Sequence, residues 1–390
     1  MSAQEQTGKM RGSMKKVIMC DFADYNSPIF RLANYHYCNC FVKDGYEALW
    51  VSDAFNHLIY FKDKKDFYFK KNISSPERHQ LVEHVYGFAP YSLWLYGNYP
   101  FCKDPKILFR FEKYVIPNIR DSMEKMDFIN ADVLWISNPK ACWLVNVVNY
   151  KKLVYRIADD YREFARFPNV AMIDEMMIKK ADYVIISSST LEQHVLEHGK
   201  TPLVLSNGVE FKHFSNRGIE RPKDYQKQDR KRIVYVGALR YWFDTELIEK
   251  IAKQVDADIF LIGKCETDLS GLEKYDNIHI LGARSYDLLP GYLQYADVAL
   301  IPFLKTVLTD SISPIKLYEY CSAGIAVVST NLTETAKLNA PVWIAENHEA
   351  FIAGVRHYLT QGYDRSSLTE YGRRNSWDSR YERMKRICLG

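Results

Sequence analysis

The sequence predicts an α/β protein built from two consecutive, doubly wound Rossmann-like domains. Three observations predict it. Short apolar runs alternate with helical segments from Val17 to Ile344, the pattern of buried parallel strands joined by crossover helices. The length, 390 residues, fits two domains of about 150–200 residues each. A charged stretch, Arg217–Arg232, interrupts the alternation and reads as a solvated linker.

In the first half, Val17-Ile18-Met19-Cys20 reads as a buried strand ending at Asp21. Phe30, Ala33, Tyr37 and Phe41 recur at helical spacing, and Ala48-Leu49-Trp50-Val51 is the next strand. Residues 54–130 break the pattern. Aromatic side chains there are interleaved with Lys62, Lys64, Lys65, Lys70 and Lys71, and the segment reads as a partly helical insertion. Strands then resume at Val133–Ile136, Leu153–Tyr155, Tyr183–Ile186 and Leu203–Leu205, with helices at Met172–Lys180 and Thr190–Glu197. The second half offers strands at Ile233–Val236, Ile259–Ile262, Ile278–Leu281, Val298–Ile301, Ala326–Val328 and Val342–Ile344. The expected organisation is a leader or expression scar at 1–13, a first domain at 14–205, and a second domain at 206–365. A helical segment at 366–390 is expected to return to the first domain.

Composition excludes several classes. Hydrophobic residues make up 47% and charged residues 26%, which rules out a disordered or fibrous chain. Lys and Arg number 52 against 48 Asp and Glu, too even a balance for a nucleic-acid binder. The 8 cysteines are scattered without a Cys-x-x-Cys pair, as expected of reduced cysteines in a cytoplasmic protein rather than a zinc site. No apolar run is long enough to span a bilayer. The aromatic and basic region 54–130 suits a peripheral contact with a membrane surface, where lysines snorkel and aromatic rings sit among headgroups. It can equally be a packed insertion with a solvated face.

The segment richest in chemistry is Ser313-Pro314-Ile315-Lys316-Leu317-Tyr318-Glu319-Tyr320. Ser313 and Pro314 read as an N-cap and first helical residue. The N–H groups of a helix start suit a phosphate. Lys316 falls in the first turn, where an ammonium can reach a diphosphate, and Glu319 lies three residues on, on the same face. Its carboxylate can accept the hydroxyls of a ribose. A solvated Lys–Glu pair on a capped helix is the plain alternative.

Pro314–Tyr320 followed by Gly324-Ile325-Ala326-Val327-Val328 resembles the donor-binding helix of GT-B glycosyltransferases. Ser206-Asn207-Gly208-Val209, Tyr235-Val236-Gly237-Ala238-Leu239 and Leu289–Val298 with Pro302-Phe303 look like further landmarks of that family, in order. Asp24-Tyr25-Asn26-Ser27-Pro28, with His36, and Lys152–Asp159 look like the acceptor-side segments of the xanthan glucuronosyltransferases. The resemblance implies a GT-B fold that binds a UDP-sugar across a central cleft. It assigns donor contacts to Gly237, Phe243, Arg284, Ser313, Ile315, Lys316 and Glu319, and acceptor contacts to Asp24, Asn26 and His36. Asp159 matches the catalytic carboxylate, with Asp160 as its rival.

That resemblance implies transfer of a sugar, with glucuronic acid the candidate, to a lipid-linked oligosaccharide in bacterial surface polysaccharide synthesis, such as a capsule or exopolysaccharide. It places the enzyme on the cytoplasmic face of the membrane. Retaining members carry two glutamates; Glu319 would be the second, but Ser311 stands at the first, which favours inversion. Ala283 stands where a glutamate of the glucuronosyltransferases aligns, which leaves the donor sugar open. Inversion needs a base for the acceptor hydroxyl and positive groups for the departing diphosphate; with cations in that role, no metal cofactor is expected. Two alternatives remain: a retaining GT-B enzyme using another UDP- or GDP-sugar, and a non-catalytic two-domain binding protein.

Overall fold

A computed structural model describes residues 14–25, 32–94, 103–163, 169–225, 230–310 and 313–390. The first sheet has eight strands: β1 (Lys15–Cys20), β2 (Tyr46–Val51), β3 (His79–Val82), β4 (Val85–Phe88), β5 (Asn130–Ile136), β6 (Asn149–Ile157), β7 (Tyr183–Ile186) and β8 (Leu203–Val204). Their order is β3-β4-β2-β1-β5-β6-β7-β8. Val17 of β1 lies opposite Ala48 of β2 and Val133 of β5, both parallel. Val17, Ile18 and Met19 are fully buried, as a strand covered on both faces requires.

Residues 54–130 are not simply an insertion. They carry α1's successors, α2 (His57–Lys62) and α3 (Lys64–Asn72), where α1 is Ala33–Lys43. They also supply β3 and β4. β4 pairs parallel with β2, and β3 folds back antiparallel on β4. Both strands have four residues, and β3 leaves alternate positions open at the sheet edge, so no apolar run announces them.

The second sheet has six strands: β9 (Arg232–Val236), β10 (Asp258–Ile262), β11 (Ile278–Gly282), β12 (Val298–Ile301), β13 (Ala326–Thr330) and β14 (Trp343–Ala345). The order is β11-β10-β9-β12-β13-β14, with parallel pairings throughout. The chain leaves β9 towards β10 and β11, then returns to the other side of β9 with β12. The strand order therefore reverses between β9 and β12, and ligands of open α/β sheets bind beyond the strand ends at such a point.

The charged stretch before β9 is less solvated than its composition suggests. Tyr225, in the turn Lys223–Tyr225, is fully buried. Its ring centroid is 4.5 Å from that of Phe260, and its hydroxyl donates to the Tyr292 carbonyl at 3.2 Å. One aromatic anchor thus pins a polar connection to the core.

By compactness, residues 157–164 and 184–390 group together, and most of 14–183 forms the other unit. β7 and β8 nevertheless pair within the first sheet, and residues 366–390 fall in the second compact unit. Backbone pairing explains part of this. Val209 accepts from Trp377 N–H at 3.1 Å and donates to the Asn375 carbonyl at 3.2 Å. Helix Arg365–Arg374 lies on helix Ile315–Ala323 at Gly372, where an added Cβ would stand 2.8 Å from Ser322 Cα. Gly372→Val is expected to destabilise the protein by about 1–3 kcal/mol through overpacking, read as a lower Tm. An unchanged Tm would show that the two helices do not cross this closely.

Candidate functional site

The site grows from the switch point. β9 ends at Val236, whose N–H donates to the Tyr320 hydroxyl at 2.8 Å; that hydroxyl donates back to the Val236 carbonyl at 3.1 Å. Tyr320 is fully buried, so helix Ile315–Ala323 is fixed to the end of β9. Gly237 follows with φ +150°, and its N–H donates to the Ile262 carbonyl at 2.8 Å. A side chain here would be strained by its φ and would also collide. An added Cβ would stand 2.8 Å from Lys316 Cε and 2.9 Å from Nζ.

Lys316 therefore lies along bare backbone. Its ammonium is 4.9 Å from the Phe303 ring centroid and 5.5 Å from that of Tyr235. Phe303 follows β12 and Tyr235 is in β9, so both walls of the switch point hold it. Among the described residues no hydrogen bond or ion pair engages this ammonium; it has only aromatic faces and the field of Glu319. Desolvation lowers its pKa below the ordinary lysine range, and Glu319 only partly offsets this. The Glu319 carboxyl moves the opposite way. Burial raises it, Lys316 opposes, and Glu210 adds repulsion. A cation and a carboxyl without hydrogen-bond partners, in one desolvated recess, form a site that a polar, anionic ligand completes.

The helix start supports the same chemistry, with one correction. Ser313 is not the N-cap. Pro314 is, with ψ 115°, Ile315 is the first helical residue, and no side chain caps the helix. The Ser313 hydroxyl lies 3.2 Å from the Tyr318 hydroxyl instead, and its carbonyl accepts from Asn207 Nδ2 at 2.8 Å. The Ile315 and Lys316 N–H groups are thus left without a side-chain cap. A helix end contributes about 0.3–1 kcal/mol to an anion, against about 1.5–3 kcal/mol for a charge-assisted hydrogen bond. Lys316 dominates.

Other expected residues fall elsewhere. Phe243 is 3% exposed, with its ring 4.8 Å from Tyr235; it packs behind the lysine's aromatic wall. Arg284 is spent in a strut: it donates to the Tyr292 hydroxyl at 3.1 Å and the Leu281 carbonyl at 2.5 Å, and lies 3.5 Å from Asp224. Asp159 sits exposed in the bend after β6. Its rival Asp160 is bound by Arg162, at 2.8 Å to Nε and 2.6 Å to the terminal nitrogen. Burial pushes the Asp160 carboxyl up, but these hydrogen bonds prevail and hold it below the usual range. A carboxylate held by an arginine in this way is a poor base.

In the first unit, Asp24 is half-buried, 4.0 Å from Lys70 Nζ. Burial raises its pKa against the pull of Lys70. His36 is 5% exposed, edge-on to Tyr35, a core position. Asn26 lies outside the described residues. Sequence reading missed a cavity of about 270 Å³ at the carboxyl ends of β1, β2 and β5, lined by Ser52, Asp53, Lys62, Lys70, Asn138 and Lys140. There Asn138 Nδ2 donates to Asp53 at 2.6 Å and Lys140 lies 3.4 Å from the same carboxylate. These residues come from separate loops and helices, so no local motif links them. Among the described residues no cluster of His, Cys, Asp and Glu could hold a metal ion.

Two Rossmann-like α/β units, the second with an anion-competent recess at its switch point, correspond to the GT-B fold. Comparison with known proteins agrees. Residues 230–361 match the family described as Glycosyl transferases group 1. A Bacillus subtilis protein, TuaH, a candidate teichuronic acid biosynthesis glycosyltransferase, is 26% identical over 257 residues, covering 59% of this chain. The match spans 64% of that protein's length. Among solved structures, sucrose-phosphate synthase from Thermosynechococcus elongatus superposes with a TM-score of 0.64 at 13% identity, covering 96% of this chain and 98% of that one. Anabaena HepE in complex with UDP gives 0.60 at 13% identity, covering 96% and 99%. At these identities the structures establish the fold.

The recess predicts a pH dependence for a simple probe, pyrophosphate. Bound anion favours the charged lysine, so binding takes up protons. Affinity should be flat while Lys316 is protonated in the free protein, then fall as pH rises through its depressed value. Gly237→Ala should weaken the probe about tenfold, roughly 1.4 kcal/mol, by displacing the ammonium. Calorimetry in buffers of different ionisation enthalpy reads both; no proton uptake would contradict the lysine's role.

Proposed function

We propose that the protein is a sugar-nucleotide-dependent glycosyltransferase of bacterial polysaccharide biosynthesis, with the donor diphosphate at Lys316. The observation that carries this is the unpartnered Lys316 ammonium beside Gly237, at the switch point of a domain whose residues 230–361 match group 1 glycosyltransferases. The start of helix Ile315–Ala323 adds N–H groups to the phosphates, and Glu319 accepts the ribose hydroxyls. UDP is the proposed nucleotide. HepE, a protein of the same fold, binds it, and the likeness to xanthan glucuronosyltransferases points the same way. Glucuronic acid as the transferred sugar rests on that likeness alone.

The proposed reaction inverts the anomeric centre. Asp159 takes the proton from an acceptor hydroxyl, whose oxygen attacks the anomeric carbon. The bond from that carbon to the β-phosphate oxygen breaks, and UDP leaves with the electron pair. Lys316 and the helix N–H groups neutralise the growing charge, so we propose that no metal is required. The acceptor is a lipid-linked oligosaccharide, held by the first unit near Asp24 at the inner membrane face. No helix among the described residues is long and apolar enough to cross a membrane, which fits a peripheral attachment.

Thermal stabilisation by UDP and GDP tests the donor site. UDP at about 100 times its Kd should stabilise by roughly 2.7 kcal/mol, and Lys316→Ala should abolish the shift. Stabilisation by GDP alone would overturn the nucleotide, and by neither would overturn the site. For the chemistry, Asp159→Asn should keep the UDP shift and lower turnover by about 10²–10⁴, with activity retained in EDTA. A product that keeps the donor's anomeric configuration would replace inversion by the retaining alternative.

A further inference from the structure

We propose that the α2–α3 hairpin is a docking surface for an anionic lipid bilayer. The proposal gives the membrane-carried acceptor a point of attachment; it rests on that reading for its purpose and on the hairpin's own surface for its argument.

The hairpin has two faces. Its inner face is anchored: Phe67 is 6% exposed and Ile73 5%, packed with Phe55 and Ala89. Its outer face is apolar and open. Helix α2 buries none of its residues. Leu58 is 70% exposed, Phe61 83% and Tyr68 52%. They are neighbours rather than scattered: the Tyr60 ring lies 5.7 Å from Phe61 and 6.0 Å from Tyr68. Single exposed apolar residues need no explanation, but a cluster of this kind marks a contact.

Charge decides the partner. The hairpin carries five lysines against two aspartates. Both aspartates are engaged within the hairpin. Asp63 caps α3, accepting from Lys65 N–H at 2.9 Å and Asp66 N–H at 3.0 Å, and Asp66 pairs with buried Lys70 at 3.1 Å. Lys62, Lys64, Lys65 and Lys71 are exposed. Among the described residues none of the four forms an ion pair; Lys64 lies over the Tyr60 ring at 5.2 Å. Cations rimming exposed Leu, Phe and Tyr match an anionic interface, where rings settle at the headgroups and ammonium groups meet phosphates. The same cations oppose a second copy of this face.

The placement also links membrane to site. Ile59 and Lys62 of α2 and Lys70 of α3 line the first unit's cavity with Asp53 and Asn138. An acceptor headgroup entering that cavity would pass the surface that touches its own bilayer.

Flotation of the full chain with vesicles tests this without turnover. One set contains phosphatidylcholine with phosphatidylglycerol, the other phosphatidylcholine alone. The protein is expected to float with the anionic vesicles only. Leu58→Ser/Phe61→Ser and Lys64→Glu/Lys65→Glu should each weaken that binding about tenfold or more, while keeping the wild-type UDP response, which shows an intact fold and donor site. Absence of flotation, or variants that float like wild type, would overturn the proposal and leave the transferase reading untouched. Loss of self-association in Leu58→Ser/Phe61→Ser, with flotation unchanged, would assign the face to a second copy instead. Failure of the UDP response with flotation intact would sink the transferase reading alone.

Discussion

A lysine ammonium pressed against bare backbone and aromatic rings, with no hydrogen-bonded partner among the described residues, is the constraint on which the second domain turns. Keeping Lys316 there costs desolvation. The fold holds it by steric means. Gly237 has no side chain to displace it, and Tyr320 locks the helix to the end of β9 through two hydrogen bonds to Val236. The carbonyl of Gly237 in turn lies so close to Gly263 that this second position admits no Cβ. Two glycines and one tyrosine hydroxyl therefore set the lysine's position.

The same arrangement explains why the helix start is uncapped. A side-chain cap at Ser313 would consume N–H groups that a phosphate can use. Its hydroxyl turns to Tyr318 instead, and Asn207 holds its carbonyl. Asn207 belongs to the loop whose next residues pair with Asn375 and Trp377. The C-terminal helices thereby brace the helix that carries Lys316 and Glu319. Packing far from the recess, at Gly372 and Tyr371, supports the chemistry within it: Tyr371 stacks parallel to Tyr318 at 6.0 Å.

Much of this was legible in the sequence, and the limits have physical causes. Strands such as Val298–Ile301 announce themselves because every position is apolar and buried. β3 and β4 do not, because β3 is a half-open edge strand of mixed polarity and β4 is interrupted by Gly87. Lys316 and Glu319 share one helix, so their spacing marked this recess. Tyr235, in β9, and Phe303, just after β12, are distant in sequence and could be named only as landmarks. Arg284 looked available as a cation, but Asp224 and Tyr292, which engage it, lie on other segments. Asp53, Asn138 and Lys140 meet only once the first sheet has formed.

The most direct test is the ionisation of Lys316 itself, followed by NMR of labelled lysine side chains with and without UDP. This account predicts a depressed pKa in the free protein that returns to the ordinary lysine range when UDP binds, with no such change in other lysines. A normal value in the free protein that UDP does not move would contradict it.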